Sequence, residues 1–145
     1  MLSLTEVEAL ARRAHAQQVD KAGEPYVGHL AAVAAGVIAR GGDDDQVAAA
    51  WLHDSVEDGA VSEQWLREAE LSERTRRIVL AVTKRTGEAP ADYAARIRST
   101  PGALLVKEAD LAHNADPERL AALDPATAQR LADKYARMRR LLGIG

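Results

Sequence analysis

The chain is 145 residues long, with 22 acidic and 19 basic side chains and a formal net charge of −3. That length predicts a single domain over 1–145 with room for a real hydrophobic core, and the slight negative balance argues against a nucleic acid or an anionic membrane as partner. With no cysteine there is neither a disulfide framework nor a thiolate metal site, so any metal must be held by nitrogen and oxygen, a donor set that suits manganese, iron, magnesium or zinc.

The hydrophobic residues are chiefly alanine, leucine and valine, with no phenylalanine, which favours closely packed helices over sheets. Ser3 and Glu6 read as a capping box ahead of Leu4, Val7, Leu10, Ala11 and Ala14, predicting a first helix to about Gln18. His15, near its end, reads as structural. Asp20 to Pro25 is a Gly- and Pro-broken loop. A second helix is predicted from about Val27 to Arg40, its stripe carried by Leu30, Val33, Ala34, Val37 and Ile38, and it stops at Gly41-Gly42. Asp43, Asp44 and Asp45 cap a third helix buried by Val47, Ala48, Trp51 and Leu52. The glycine and distal glutamate of a calcium loop are missing from that run.

Ser62 opens a short fourth helix with Trp65, Leu66 and Leu71, and Ser72 caps a fifth with Ile78, Val79 and Val82. Thr83 to Pro90 is a loop in which Lys84 and Arg85 are able to meet phosphates, although solvated basic residues are the commoner reading after a helix. Pro90 starts a sixth helix through Tyr93 and Ile97, and Thr100-Pro101 reads as a cap with proline at the first position of a seventh, over 103–114. Asp124-Pro125 opens a terminal helix that turns Leu131, Tyr135, Met138 and Leu142 inward. The expectation is an all-α fold of seven to eight helices. No apolar run is long enough to span a membrane, and the start of the chain lacks a signal pattern, so a cytoplasmic location is expected.

Two stretches break the apolar logic. In Trp51-Leu52-His53-Asp54-Ser55-Val56-Glu57-Asp58, a helical continuation sets His53 facing Glu57 and Asp54 facing Asp58. Such crowded carboxylates repel unless a cation lies among them, although a His-Asp pair near a helix end also occurs as a simple hydrogen bond. In Val106 to Asn114, Asp110 lies in an apolar run with His113 and Asn114 about one turn on, and a buried carboxylate there needs a partner. His29, in the first turn of the second helix, reads on its own as a surface residue. If the second, third and seventh helices pack side by side, His29, His53, Asp54 and Asp110 supply two imidazoles and two carboxylates for one divalent cation.

The order His, His-Asp, Asp resembles the HD superfamily of metal-dependent phosphohydrolases. The blocks His15 to Tyr26 with His29, Trp51 to Asp58, Val82 to Lys84, and Val106 to Asn114 resemble, more narrowly, the hydrolase domain of the RelA/SpoT family and its small stand-alone (p)ppGpp hydrolases. That resemblance implies an all-helical fold and Mn²⁺ held by His29, His53, Asp54 and Asp110. It implies Glu57 and Asp58 as the catalytic pair, and Lys21, Tyr26 and Asn114 as contacts to a small-molecule nucleotide. The activity implied is removal of pyrophosphate from the 3′ position of (p)ppGpp. Two positions depart from the family pattern, with Asp20 and Leu111 where arginines are usual, so a different nucleotide phosphoester or pyrophosphate is the alternative substrate. A non-catalytic nucleotide-binding module is a third reading, against which the intact Glu57 and Asp58 stand.

Overall fold

The computed structural model describes residues 1–145. It contains nine helices: α1 (Leu4–Ala14), α2 (Val27–Ala39), α3 (Asp44–Leu52), α4 (Glu63–Glu68), α5 (Glu73–Val82), α6 (Pro90–Ser99), α7 (Ala103–Asn114), α8 (Pro117–Ala121) and α9 (Pro125–Leu142). The extended pairing is confined to an isolated bridge between Val19 and Pro25 at the base of the α1–α2 loop. The all-α expectation therefore stands.

Helix starts follow the capping chemistry read from the sequence. Ser3, Asp43, Ser62, Ser72 and Asp124 each accept a hydrogen bond from a first-turn backbone N–H, satisfying a donor that has no partner inside the helix. The same device opens α8, where Asp116 accepts from the Glu118 N–H and Pro117 takes the first helical position. Sequence reading passed over it because the helix is only five residues long.

Three boundaries differ from expectation. The first helix ends at Ala14, with His15 as its C-cap and further turns to Gln18. Thr100 closes α6 rather than opening α7, and Gly102 precedes α7 at φ +88°. A side chain there would be strained and would press on the Arg74 guanidinium and Ile78. The third helix stops at Leu52, and His53 to Gly59 form successive turns. Ile38, assigned to the buried stripe, is 62% exposed.

The core is one cluster of 26 buried residues, with α2 and α3 running through its middle. Leu30, Val33 and Val37 of α2 and Ala49, Ala50 and Leu52 of α3 are fully or almost fully buried. Each large apolar side chain so buried contributes about 1.5–3 kcal/mol. Alanine and glycine permit close helix approach: a methyl group added at Gly36 of α2 would lie 3.3 Å from the Ala109 side chain of α7. This close approach brings α2 against α7, and Asp110, which follows Ala109, lies beside His29.

Candidate metal centre and cavity

Four polar side chains break into this apolar interior. His29 comes from the first turn of α2, His53 and Asp54 from the turns after α3, and Asp110 from α7. His29, His53 and Asp110 are buried and Asp54 is partly so, and one ligand atom from each lies within 4.8 Å of those from the others. His29 Nε2 is 3.0 Å and His53 Nε2 3.2 Å from Asp110 Oδ1, and His53 Nε2 is 3.1 Å from Asp54 Oδ2.

The far side of each imidazole fixes which nitrogen faces this centre. His53 donates Nδ1–H to the Ala50 carbonyl at 2.6 Å, which leaves Nε2 with its lone pair in the neutral ring. His29 is set by a longer chain. Arg119 Nη1, which can only donate, lies 2.9 Å from His113 Nδ1, so that nitrogen accepts. His29 Nδ1 lies 2.7 Å from the same atom and 3.4 Å from Arg119 Nη1, and a proton on it satisfies the shorter contact and leaves Nε2 with a lone pair. His113 suits the part of acceptor because burial, with His29 and Arg119 close by, pushes its pKa down to about 4 and keeps it neutral.

Two imidazole lone pairs thus confront two carboxylates across about 3 Å. Such a set is repulsive until a proton or a cation enters it. Burial disfavours a charged His53, yet Asp54 and Asp110 outweigh burial and raise its pKa well above the ordinary value. Asp110 is held well below the carboxylate range against its own burial, chiefly by Lys107 Nζ, 2.9 Å from Oδ2, and by His53. Two nitrogens and two carboxylates aimed at one point fit a divalent ion with nitrogen and oxygen preference, and the committed outer nitrogens are the usual support of such ligands.

Glu57 and Asp58 reach the same cavity from the turns that follow α3. α3 ends at Leu52, and the following turns keep a backbone bond from the Asp58 N–H to the Asp54 carbonyl at 2.9 Å. Glu57 Oε1 accepts the Lys84 backbone N–H at 2.8 Å, tying Glu57 to the α5–α6 loop. Asp58 Oδ2 accepts from Gln18 Nε2 at 3.0 Å, and the Gln18 carbonyl oxygen in turn meets His15 Nδ1 at 2.7 Å. His15 is therefore structural, as expected, but its structure serves Asp58. Loss of hydration, with Asp54 adding repulsion, raises the pKa of both carboxylates.

Asp54, Asp110, Glu57 and Asp58 open on a cavity of about 500 Å³, within the usual range for small-molecule sites. Lys21, Tyr26 and Asn114 also line it. Tyr26 donates its hydroxyl to Asp54 Oδ2, and Asn114 Nδ2 donates to Asp110 Oδ1 at 3.1 Å, so both brace these two carboxylates from the cavity side. The far wall is built from α8 and α9, with Leu120, Leu123, Leu131 and Met138 among its apolar members.

Sequence reading missed three of the working groups. Lys107 could have been found as an ammonium one turn before Asp110 in an apolar run. Gln18 and Arg119 left no local signal, since their partners are distant in the chain. Arg119 also explains one departure from the family pattern. Asp20 Oδ1 accepts the Ala22 and Glu24 backbone N–H groups, and Oδ2 faces Arg119 Nη2 at 3.5 Å. Asp20 thus folds its own loop and is neutralised from α8, which places a guanidinium in the cavity that Leu111 cannot supply.

Comparison with known proteins agrees with this geometry. Over 145 aligned residues, covering 90% of the chain, it is 37% identical to a protein of Synechocystis sp. (strain ATCC 27184 / PCC 6803 / Kazusa) described as a probable guanosine-3′,5′-bis(diphosphate) 3′-pyrophosphohydrolase. The chain spans about a fifth of that protein's length, 19%. Residues 8–144 match the HD domain family. With nearly its whole length inside that match, and the His, His-Asp and Asp residues gathered at one buried point, the chain belongs to the HD-domain family.

Proposed function

We propose that the chain is a single catalytic HD domain that hydrolyses a nucleotide phosphoester, of the (p)ppGpp 3′-pyrophosphohydrolase type, with Mn²⁺ held by His29, His53, Asp54 and Asp110. The observation that carries the reading is the gathering of one ligand atom each from His29, His53, Asp54 and Asp110 within 4.8 Å of one another beside an open cavity. The relative's name supplies the substrate class. When bound, a divalent cation would make water more acidic and neutralise phosphate charge.

The chain's own residues do the rest. Glu57, on the cavity and held by the Lys84 N–H, accepts a proton from the attacking water as its oxygen bonds to the phosphorus next to the sugar. The bond from that phosphorus to the ribose 3′ oxygen breaks, pyrophosphate leaves, and Asp58 returns a proton to the ribose oxygen. The raised pKa values of both carboxylates suit such exchange. Lys21 and Asn114 contact the nucleotide, and Tyr26 packs beside base or ribose. The nucleotide needs neither a nucleic acid nor a membrane as partner, and no helix is long and apolar enough to cross a membrane.

The test is release of pyrophosphate from guanosine 3′,5′-bis(diphosphate) by the purified protein with Mn²⁺. Absence of release at confirmed metal occupancy rejects the reading. A second substrate, another nucleotide phosphoester or pyrophosphate, is favoured by the commitment of Asp20 to its own loop and by apolar Leu111 in the cavity wall. A panel of nucleotides assayed alongside separates the two.

A further inference from the structure

Two side chains of α6 reach past their own helix to the end of α5. Tyr93 and Arg96 stand three positions apart and so share a face of α6. The Tyr93 hydroxyl donates to the Val82 carbonyl at 2.6 Å, and Arg96 Nη2 donates to the Thr83 carbonyl at 2.8 Å. Carbonyls at a helix C-terminus lack partners inside the helix, and a cation there is favoured by the dipole. Capping alone does not require a guanidinium held as this one is. The Arg96 side chain is only 18% exposed, it pairs with Glu88, and its Nε is buried without a hydrogen-bond partner. An unsatisfied buried donor is a cost that a simpler cap would avoid.

What the guanidinium holds is one side of a peptide whose other side meets Glu57. The Thr83 carbonyl and the Lys84 N–H belong to the same peptide unit, which is planar and trans. Its C=O and N–H point in opposite directions, so an anchor on one aims the other. The Lys84 N–H donates to Glu57 Oε1 at 2.8 Å. Glu88, Arg96, this peptide and Glu57 thus form a line in which charge runs from carboxylate to guanidinium to carboxylate, and hydrogen bonds in such a line strengthen one another. Glu88 closes the loop from its own side, its Oε1 accepting the Arg85 N–H at 3.2 Å. Around Glu57, loss of hydration raises the pKa and the Lys84 N–H opposes it, while Asp54 and Asp58 raise it and Lys107 of α7 lowers it. The Lys84 and Arg85 side chains border Glu57 in a shallow outer groove.

We propose that Arg96 is a positioning residue: by holding the Thr83 carbonyl it turns the N–H of the same peptide onto Glu57 and fixes the carboxylate that accepts the proton of the attacking water. The inference rests on the proposed function for what Glu57 does, but not for how the peptide is aimed. Arg96 itself touches neither the nucleotide nor the ion-binding group. Its guanidinium acts from behind the cavity wall, and the peptide carries the effect through. Glu57 Oε1 is occupied by the Lys84 N–H, and Oε2, which makes no hydrogen bond within the chain, remains to take the proton.

The Lys84 amide proton, followed by NMR across pH in the full chain, tests the positioning without substrate. In the original protein that proton is expected to shift as Glu57 ionises, and Glu57→Gln identifies the group by abolishing the shift. Arg96→Met is combined with Glu88→Gln so that no carboxylate is stranded and the fold is kept, and in this double variant the response of the Lys84 amide is expected to be lost. Arg96→Lys, which keeps the charge and has donors for both Glu88 and the Thr83 carbonyl, is expected to retain it. With guanosine 3′,5′-bis(diphosphate) and Mn²⁺, the double variant should lose at least about tenfold in kcat with KM within about twofold of the original, because a displaced proton acceptor slows chemistry without loosening binding. A Lys84 amide that follows Glu57 equally in the original and the double variant overturns the proposal, and so does a lysine variant that behaves like the methionine one. A rise in KM at unchanged kcat overturns it as well, since Arg96 would then shape the cavity and not Glu57. If the amide responds as expected and the original protein cleaves no nucleotide, the positioning stands and the hydrolase reading falls.

Discussion

The two ends of the cavity are built on opposite plans. At the α2–α7 end the key polar atoms are committed: His29 to His113, His53 to Ala50, Asp110 to Lys107 and Asn114, Asp54 to Tyr26. At the α9 end, Lys134 and Arg137 stand exposed and without partners among leucines. The difference separates two tasks. A group that must hold an ion or move a proton gains from fixed geometry and exclusion of water, whereas a group that recognises a mobile anion must leave its own charge unspent until the ligand arrives. Substitutions at the first end should therefore damage folding, ion binding and chemistry together, and those at the second should alter affinity alone.

The largest effect is expected from Asp110→Asn. It removes a carboxylate of the metal-binding group and strands the Lys107 ammonium, and losing one partner of a buried pair costs about 3–5 kcal/mol. Urea unfolding should show that loss. Added Mn²⁺ should raise the melting temperature of the original protein, by about 2.7 kcal/mol in stability at a hundredfold excess over Kd, and leave the variant unmoved. An equal response of the two proteins to Mn²⁺ would remove Asp110 from the site.

His113→Leu separates orientation from ligation. The substitution deletes the acceptor that keeps His29 in its tautomer, and such supporting partners typically matter about 10–100-fold in metal affinity. Metal titration of the variant measures this directly. Affinity within twofold of the original would show that His29 needs no such support.

A subtler expectation concerns pH. Glu57 must be ionised to accept a proton, and its pKa is raised by loss of hydration and by Asp54. The acid limb of kcat/KM should accordingly lie above the ordinary glutamate value of about 4.3. Stability runs the other way. A carboxyl that binds its proton more tightly in the folded state favours folding below the ordinary pKa, and that contribution is lost as pH rises through the raised one. Glu57→Gln should thus abolish turnover while leaving metal content unchanged, and it should be more stable than the original at neutral pH but not at pH 4. Equal stability of the two at both pH values contradicts the raised pKa.

The smallest effect lies away from the cavity. Ser72→Ala removes the cap of α5, whose Oγ accepts from the Thr75 N–H at 3.0 Å, and should cost about 1 kcal/mol with no change in metal affinity. A change in metal affinity there would mean that the two plans are coupled through α5.

The chain by itself determined its helices and the identity of the residues proposed to bind the ion. Capping groups and apolar spacing are local properties, so Ser3, Asp43, Ser62, Ser72 and Asp124 announced their helices, and His53, Asp54 and Asp110 declared themselves as polar groups in apolar runs. Their convergence with His29 was decided by packing, through the close Gly36–Ala109 approach and the turn that ends α3 at Leu52 instead of carrying it to Asp58. Gln18 and Arg119 act on partners 40 and 99 positions away, and no local pattern registers such separations. What decides tautomer, carboxylate orientation and unspent charge is which distant side chain lies within 3 Å, and that is fixed only when the helices close on one another.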